Sequence, residues 1–289
     1  MLVSSIPLTV IYYSKLSRYY KLLAIINIVF QVAVKFLGGA NEGIFDIGIY
    51  IIVSIYIKIQ VYPSKKINKK RKMKLSTAVL VVVIISILLN FFTRNIGGRT
   101  AQSFAFPTIF PNHYDNNALI LEFIPNYFHE TLAYLTVYLC EGYYGLSLAT
   151  TLDWIPNWGS GYSSFIRNNL QELFNIDILQ YSYQGRAERF GWGATKNWHT
   201  AYTWFANDVS FLGVPIIMFI FGWLLAKVYK DSSINKNPYA IILTCLLMLQ
   251  VFYLPANSKL FNQPATFMLF WISLMLWIGT KKRNINRKH

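Results

Sequence analysis

The sequence predicts an all-α polytopic integral membrane protein, a helix bundle with one large extracytoplasmic loop. Three observations carry this. Hydrophobic residues make up 54% of the chain and charged ones only 13%, and several uncharged apolar runs approach the ~20 residues that span a bilayer. Most Lys and Arg sit in short breaks between those runs, the pattern of cytoplasmic loops. One long stretch, Arg94 to Asp208, instead holds nine of the twelve carboxylates, three of the four histidines and five of the eight tryptophans. The formal charge of +15 is thus a topogenic charge, and it implies no nucleic-acid partner.

The elements follow in order. Leu2–Tyr13 is apolar but short for a span, and it precedes the first basic residues, whereas a secretory signal puts its charges first. Leu22–Leu37 ends at the Gly38-Gly39 turn, and Gly43–Tyr62 follows with Asp46 near its start. Seven Lys and Arg between Pro63 and Lys74 assign that loop to the cytoplasm. Leu75–Phe92, rich in Val, Ile and Leu, then crosses outward. Residues 1–92 therefore form an N-terminal membrane region whose first helix is only a stub, as expected of a chain that has lost earlier spans that normally precede Met1. Residues 93–208 form the outer loop, with Ala118–Ile124 and Thr131–Leu148 as half-buried or paired re-entrant helices. Residues 209–289 form the C-terminal membrane region: Phe211–Val228 inward, Tyr239–Pro255 outward, Thr266–Thr280 inward, then a basic cytoplasmic tail. Cys140 and Cys245 lie in apolar runs and read as buried thiols rather than a disulfide or a metal pair.

A membrane protein that gathers its ionisable and aromatic groups in one loop places its chemistry there. Arg94, Arg99, Arg167, Arg186 and Arg189 run against the positive-inside trend. A guanidinium is a permanent charge with a planar fork that suits phosphate oxygens, and a lipid-linked diphosphate fits both charge and depth. Headgroup contact or a surface ion pair is the plainer role for any one of them. His199, Asp208, Glu130 and Glu141 are candidate bases, each otherwise a structural hydrogen-bonding group. Asp208, close before an apolar run, also reads as a helix cap. Trp158, Trp192 and Trp198 stand in Gly- and Tyr-rich stretches that offer flat faces to sugar rings, or an interfacial belt. The sequence has no HExxH, paired-cysteine, P-loop or GxSxG motif, so neither a metal nor a nucleotide cofactor is expected.

Three stretches go further. Gly38 to Asp46 is a glycine-rich turn opening a span. Glu141-Gly142-Tyr143-Tyr144-Gly145-Leu146-Ser147 continues to Trp158-Gly159-Ser160-Gly161. Trp198-His199-Thr200-Ala201-Tyr202 runs through Asn207-Asp208 into Phe211-Leu212-Gly213. Together they resemble the Wzy-type oligosaccharide repeat-unit polymerases of O-antigen and capsule synthesis, with Val209-Ser210 departing from the family pattern. With only about six or seven spans, the chain resembles a member shortened at its N-terminus.

The resemblance implies metal-independent, cofactor-free glycosyl transfer at the outer face of the bacterial cytoplasmic membrane. A growing glycan on undecaprenyl diphosphate is the implied donor and an undecaprenyl-diphosphate-linked oligosaccharide the acceptor. The acceptor hydroxyl attacks the anomeric carbon as the lipid diphosphate leaves. Membrane lipids and a chain-length regulator are the implied partners. On this reading Arg99, Arg167, Arg186 and Arg189 stabilise the leaving diphosphate, and Arg94 joins them in binding the substrate. His199 or Asp208 takes the hydroxyl proton, with Glu130 and Glu141 in reserve, and Trp158, Trp192 and Trp198 line the glycan path. An O-antigen ligase, an exporter of lipid-linked glycan and an inactive remnant are the alternatives left open.

Overall fold

The computed structural model describes residues 2–38, 41–61, 86, 90, 94, 118–126 and 129–286. Among them every regular element is helical: α1 (Leu2–Tyr12), α2 (Arg18–Leu37), α3 (Asn41–Val61), α4 (Leu119–Glu122), α5 (His129–Thr150), α6 (Ser164–Phe174), α7 (Tyr183–Ala187), α8 (Ala201–Ile234), α9 (Pro238–Tyr253), α10 (Lys259–Asn262) and α11 (Pro264–Asn286), with short 3-10 turns between some of them. The chain divides into two compact units, one of Met1–Pro63 with Glu141–His289 and one of Ser64–Cys140.

In the first unit α9 is the central helix. Ala240 to Leu247, Leu249, Gln250 and Tyr253 are all buried, so this helix is covered on every side as far as Leu247, with Val251 and Phe252 exposed near its end, and it reads as apolar all round. Ile6 and Ile11 of α1, Tyr50 and Ile57 of α3, Leu224 and Val228 of α8 and Phe270 and Trp277 of α11 complete the core. Its start is set locally: Asn237 Oδ1 accepts the Tyr239 amide at 3.0 Å, and Pro238, which has no N–H to leave unsatisfied, stands in the first turn. By contrast α2 leaves Leu22, Leu23, Ile26, Val29, Phe30 and Leu37 exposed.

Among the described residues three helices are long and apolar enough to cross a membrane, Arg18–Leu37, Glu42–Val61 and Ala201–Ile234, and Pro238–Tyr253 and Pro264–Thr280 are shorter apolar helices. The expected span Leu75–Phe92 and the basic loop before it lie almost wholly outside the described residues. The second unit contributes α4 and the first turns of α5, where His129 Nε2 lies 3.0 Å from the Leu121 carbonyl and 2.7 Å from that of Ile124.

The boundary expected at residues 208 and 209 falls inside a helix. Thr200, not Asp208, caps it, its hydroxyl accepting the Thr203 amide at 3.3 Å. The helix then runs from Ala201 to Ile234 with one interruption, Ser210, at φ 59° and ψ 170°. Pro215 stands just beyond, and its ring crowds the carbonyl of Phe211 and brings no N–H to it. The apolar run from Phe211 is therefore the second half of a broken helix, whose polar and aromatic first half builds the site below.

Candidate functional site

Asn207, at the end of that first half, is the hub of the loop. Its side-chain amide donates to the Gly161 carbonyl at 3.0 Å and to Gln184 Oε1 at 2.8 Å, while Oδ1 accepts the Tyr183 amide at 2.8 Å. A helix interrupted at Ser210 leaves carbonyls in the preceding turn without their helical partners. The Asn207 carbonyl instead accepts the Asn157 amide and the Trp154 indole, each at 3.1 Å.

Asp208 completes the arrangement. Oδ1 accepts the amides of Gly159 at 2.8 Å and Gly161 at 3.1 Å, and Oδ2 accepts that of Tyr162 at 2.8 Å. The expected cap on an apolar helix is thus a latch on the 159–162 loop, a different structural use of the same carboxylate. The loop carries Trp158 at φ 51°, 88% exposed. A left-handed backbone on a tryptophan is costly, and the grip of Asp208 on the next residues holds it there.

Glu141 organises the turn that leads to His199. It is buried, and its Oε1 accepts Asn197 Nδ2 at 3.0 Å and the Trp198 amide at 3.2 Å. Burial raises its carboxyl above the usual range, and these two donors oppose that. Trp192 is fully buried, gives its N–H to the Trp198 carbonyl at 3.2 Å and meets the Tyr144 ring edge-on at 4.8 Å. It presents no surface to a glycan in this conformation. A Cβ on Gly145 would lie 2.6 Å from Trp192 Nε1 and 3.2 Å from His199 Nδ1, so the glycine lets α5 approach this turn.

His199 and Arg167 are both buried, and the charge of Arg167 acts on the His199 ring. His199 is 2% exposed and neither ring nitrogen has a hydrogen bond of ordinary geometry. Burial, helped by the positive charge of Arg167, pushes its pKa from 6.5 to about 4, against the Gly193 backbone. The imidazole is neutral at neutral pH. Arg167 is 5% exposed, with its guanidinium carbon 5.1 Å from the Trp204 ring centroid and Nη1 without a partner. Its pKa is lowered by burial and raised by the charge of Asp177, yet a guanidinium stays protonated. Trp204 Nε1 is likewise unpartnered. Arg186, over the Tyr183 ring at 5.1 Å, leaves Nε and Nη2 unsatisfied. Arg189 lies exposed beside Phe190.

The loop therefore gathers Glu141, Arg167, Arg186, Arg189, Trp158, Trp192, Trp198, His199 and Asp208 in one unit. Glu130 heads α5 in the other unit, Arg94 is exposed there, and Arg99 lies outside the described residues. Among the described residues no group of three or more His, Cys, Asp or Glu is placed to hold a metal. Asn157, Gln184 and the bonding role of Asn207 are what reasoning from sequence missed. Their importance is tertiary, and only the uncharged polar residues inside an otherwise aromatic helix start hinted at it. No family model matches the chain, and neither does any curated protein or solved structure.

Proposed function

We propose that this chain is a multi-pass inner-membrane glycosyltransferase that joins lipid-diphosphate-linked oligosaccharide units at the outer face of the membrane. The observation that supports it most is Arg167: a buried guanidinium with a free N–H, whose charge is felt by a buried, neutral histidine. Buried charges are ordinarily paired. One left open in a loop beside membrane-length helices suits an anionic ligand that arrives with its lipid. The half of α8 beyond the break at Ser210 runs to Ile234, roughly 36 Å against the ~30 Å of hydrocarbon, and in this reading the first half, with Asn207 and Asp208, stands clear of the bilayer.

In this reading Arg167, with Arg186 and Arg189 on the adjoining segment, takes the charge that develops on the leaving diphosphate. His199, already unprotonated, receives the acceptor's hydroxyl proton. Trp158 offers an exposed face to the glycan, and Asp208 fixes that face rather than acting as a base. The test is the surface-glycan ladder of cells with and without the gene, complemented by the 289-residue chain. A ladder that collapses to one repeat unit and is restored on complementation is expected. A ladder indifferent to the gene overturns the reading, and lipid-linked polymer accumulating without transfer assigns a ligase instead.

A further inference from the structure

Away from that loop, the N-terminal end of α3 holds a second buried charged group. Lys259 of α10 is 4% exposed, and its Nζ lies 2.7 Å from Glu42 Oε1 and 3.1 Å from Asp46 Oδ2. The ammonium also sits 5.2 Å from the Tyr253 ring centroid. Two carboxylates against one ammonium leave a negative charge over, at a place where uncompensated charge is expensive.

Among the described residues no second cation pairs with either carboxylate. The stem of Lys35 from α2 crosses Gly43, but its exposed head pairs with neither carboxylate. Facing α3 from α9 are Tyr253 and Cys245. From α8 comes Tyr229, stacked on Tyr56 farther along, and from α1 comes Tyr12, whose hydroxyl goes to the Lys236 carbonyl. Lys58 donates to the Val10 carbonyl at 2.8 Å, twelve residues and about 18 Å along the helix from Asp46.

Beyond the ion pairs with Lys259 and the hydrogen bond between Tyr253 and Asp46, Glu42 Oε1, Asp46 Oδ1 and Tyr50 Oη have no hydrogen-bond partner, the last on a side chain only 2% exposed. Tyr50 is one turn below Asp46, and helical side chains tilt toward the N-terminus, so its ring points up toward the carboxyl, whose charge it feels. We propose that Glu42, Asp46, Tyr50 and Lys259 form a proton-binding site, in which one proton on the carboxyl pair balances the charge that a single ammonium leaves over. The α3 dipole favours the ionised form of first-turn Glu42, so the proton rests on Asp46, a turn deeper, with Tyr50 Oη beside it.

The site has a structural consequence. The hairpin that carries Lys259 is also the floor of the outer loop: the Phe261 carbonyl accepts Ser163 Oγ at 2.5 Å, Asn262 Oδ1 accepts the Ser164 amide at 2.8 Å, and the Leu254 carbonyl accepts the Ala201 amide at 3.0 Å. Proton occupancy decides whether the ammonium is held by two carboxylates or by one.

Infrared difference spectroscopy of the purified full chain, titrated from alkaline to mildly acidic buffer, tests the site. A carbonyl stretch from a protonated carboxyl is expected at neutral pH in the unmodified protein, and its absence overturns the proposal. Asp46→Asn and Glu42→Gln should each abolish the band, because either leaves one carboxylate opposite one ammonium. A band that survives either substitution overturns the charge balance. Lys259→Arg keeps the charge and alters the hydrogen bonding, so it should shift the band's frequency. An unmoved band overturns the site even where the other variants do not fold.

Discussion

Gly161 lies so close to Asn207 that a Cβ built on it would sit 2.4 Å from the Asn207 Cβ and 2.9 Å from that of Asn157. Neither neighbour can retreat cheaply, because Asn207 is fixed by side-chain bonds to Gly161, Gln184 and Tyr183. Gly161→Ala is therefore expected to cost about 1–3 kcal/mol of stability, as overpacking does. Thermal or chemical unfolding of the purified variant measures it. A neutral result would show that the loop and the broken helix are not packed as described.

Asp208 makes a second test of the same junction. Asp208→Ala removes the acceptor of three backbone amides, and a donor left without a partner costs ~1–3 kcal/mol where water does not replace it. Faster amide exchange at Gly159, Gly161 and Tyr162 is expected, with exchange along α9 unchanged. Asp208→Asn keeps one acceptor oxygen and should fall between. If Asp208 were instead a catalytic base, both variants would lose activity with no change in exchange, and that outcome would separate the two roles.

Much of this was legible in the sequence, and what was not has physical reasons. The apolar runs at Leu22–Leu37, Gly43–Tyr62 and Phe211–Val228 became helices because length and composition suffice for that. The start of α8 was misplaced by ten residues, from Phe211 to Ala201, since Thr200 caps a turn whose residues are buried by tertiary contacts rather than marked by an apolar pattern. Trp192 and Trp158 look alike in sequence, yet one is enclosed and the other 88% exposed. Lys259, between the expected spans Tyr239–Pro255 and Thr266–Thr280, is unmarked in the sequence, because its partners Glu42 and Asp46 lie more than two hundred positions away.

His199 sets a pH dependence whose sign follows from its environment. Its folded pKa, about 4, lies below the ordinary 6.5, so between those values the unfolded chain binds a proton that the folded one refuses. Stability therefore rises with pH through that window and is flat above it. The full contribution is on the order of 3 kcal/mol. Unfolding free energies from pH 4 to pH 7 measure the slope, and His199→Gln should flatten it. An equal slope in the variant would assign the effect to other groups.

Arg167 separates stability from function. Its guanidinium is buried with Nη1 unpartnered, and its compensation is the face of Trp204 and the more distant charge of Asp177. An apolar side chain of similar reach removes the desolvation cost, and replacing poorly compensated buried charge is neutral or stabilising by about 1–4 kcal/mol. Arg167→Met is thus expected to unfold at the same or a higher temperature than the unmodified chain, while glycan polymer falls to background in complemented cells. Inorganic pyrophosphate should raise the unfolding temperature of the unmodified protein but not of the variant. A residue kept only for structure would behave in the opposite way: the variant would lose stability, and pyrophosphate would affect both proteins alike.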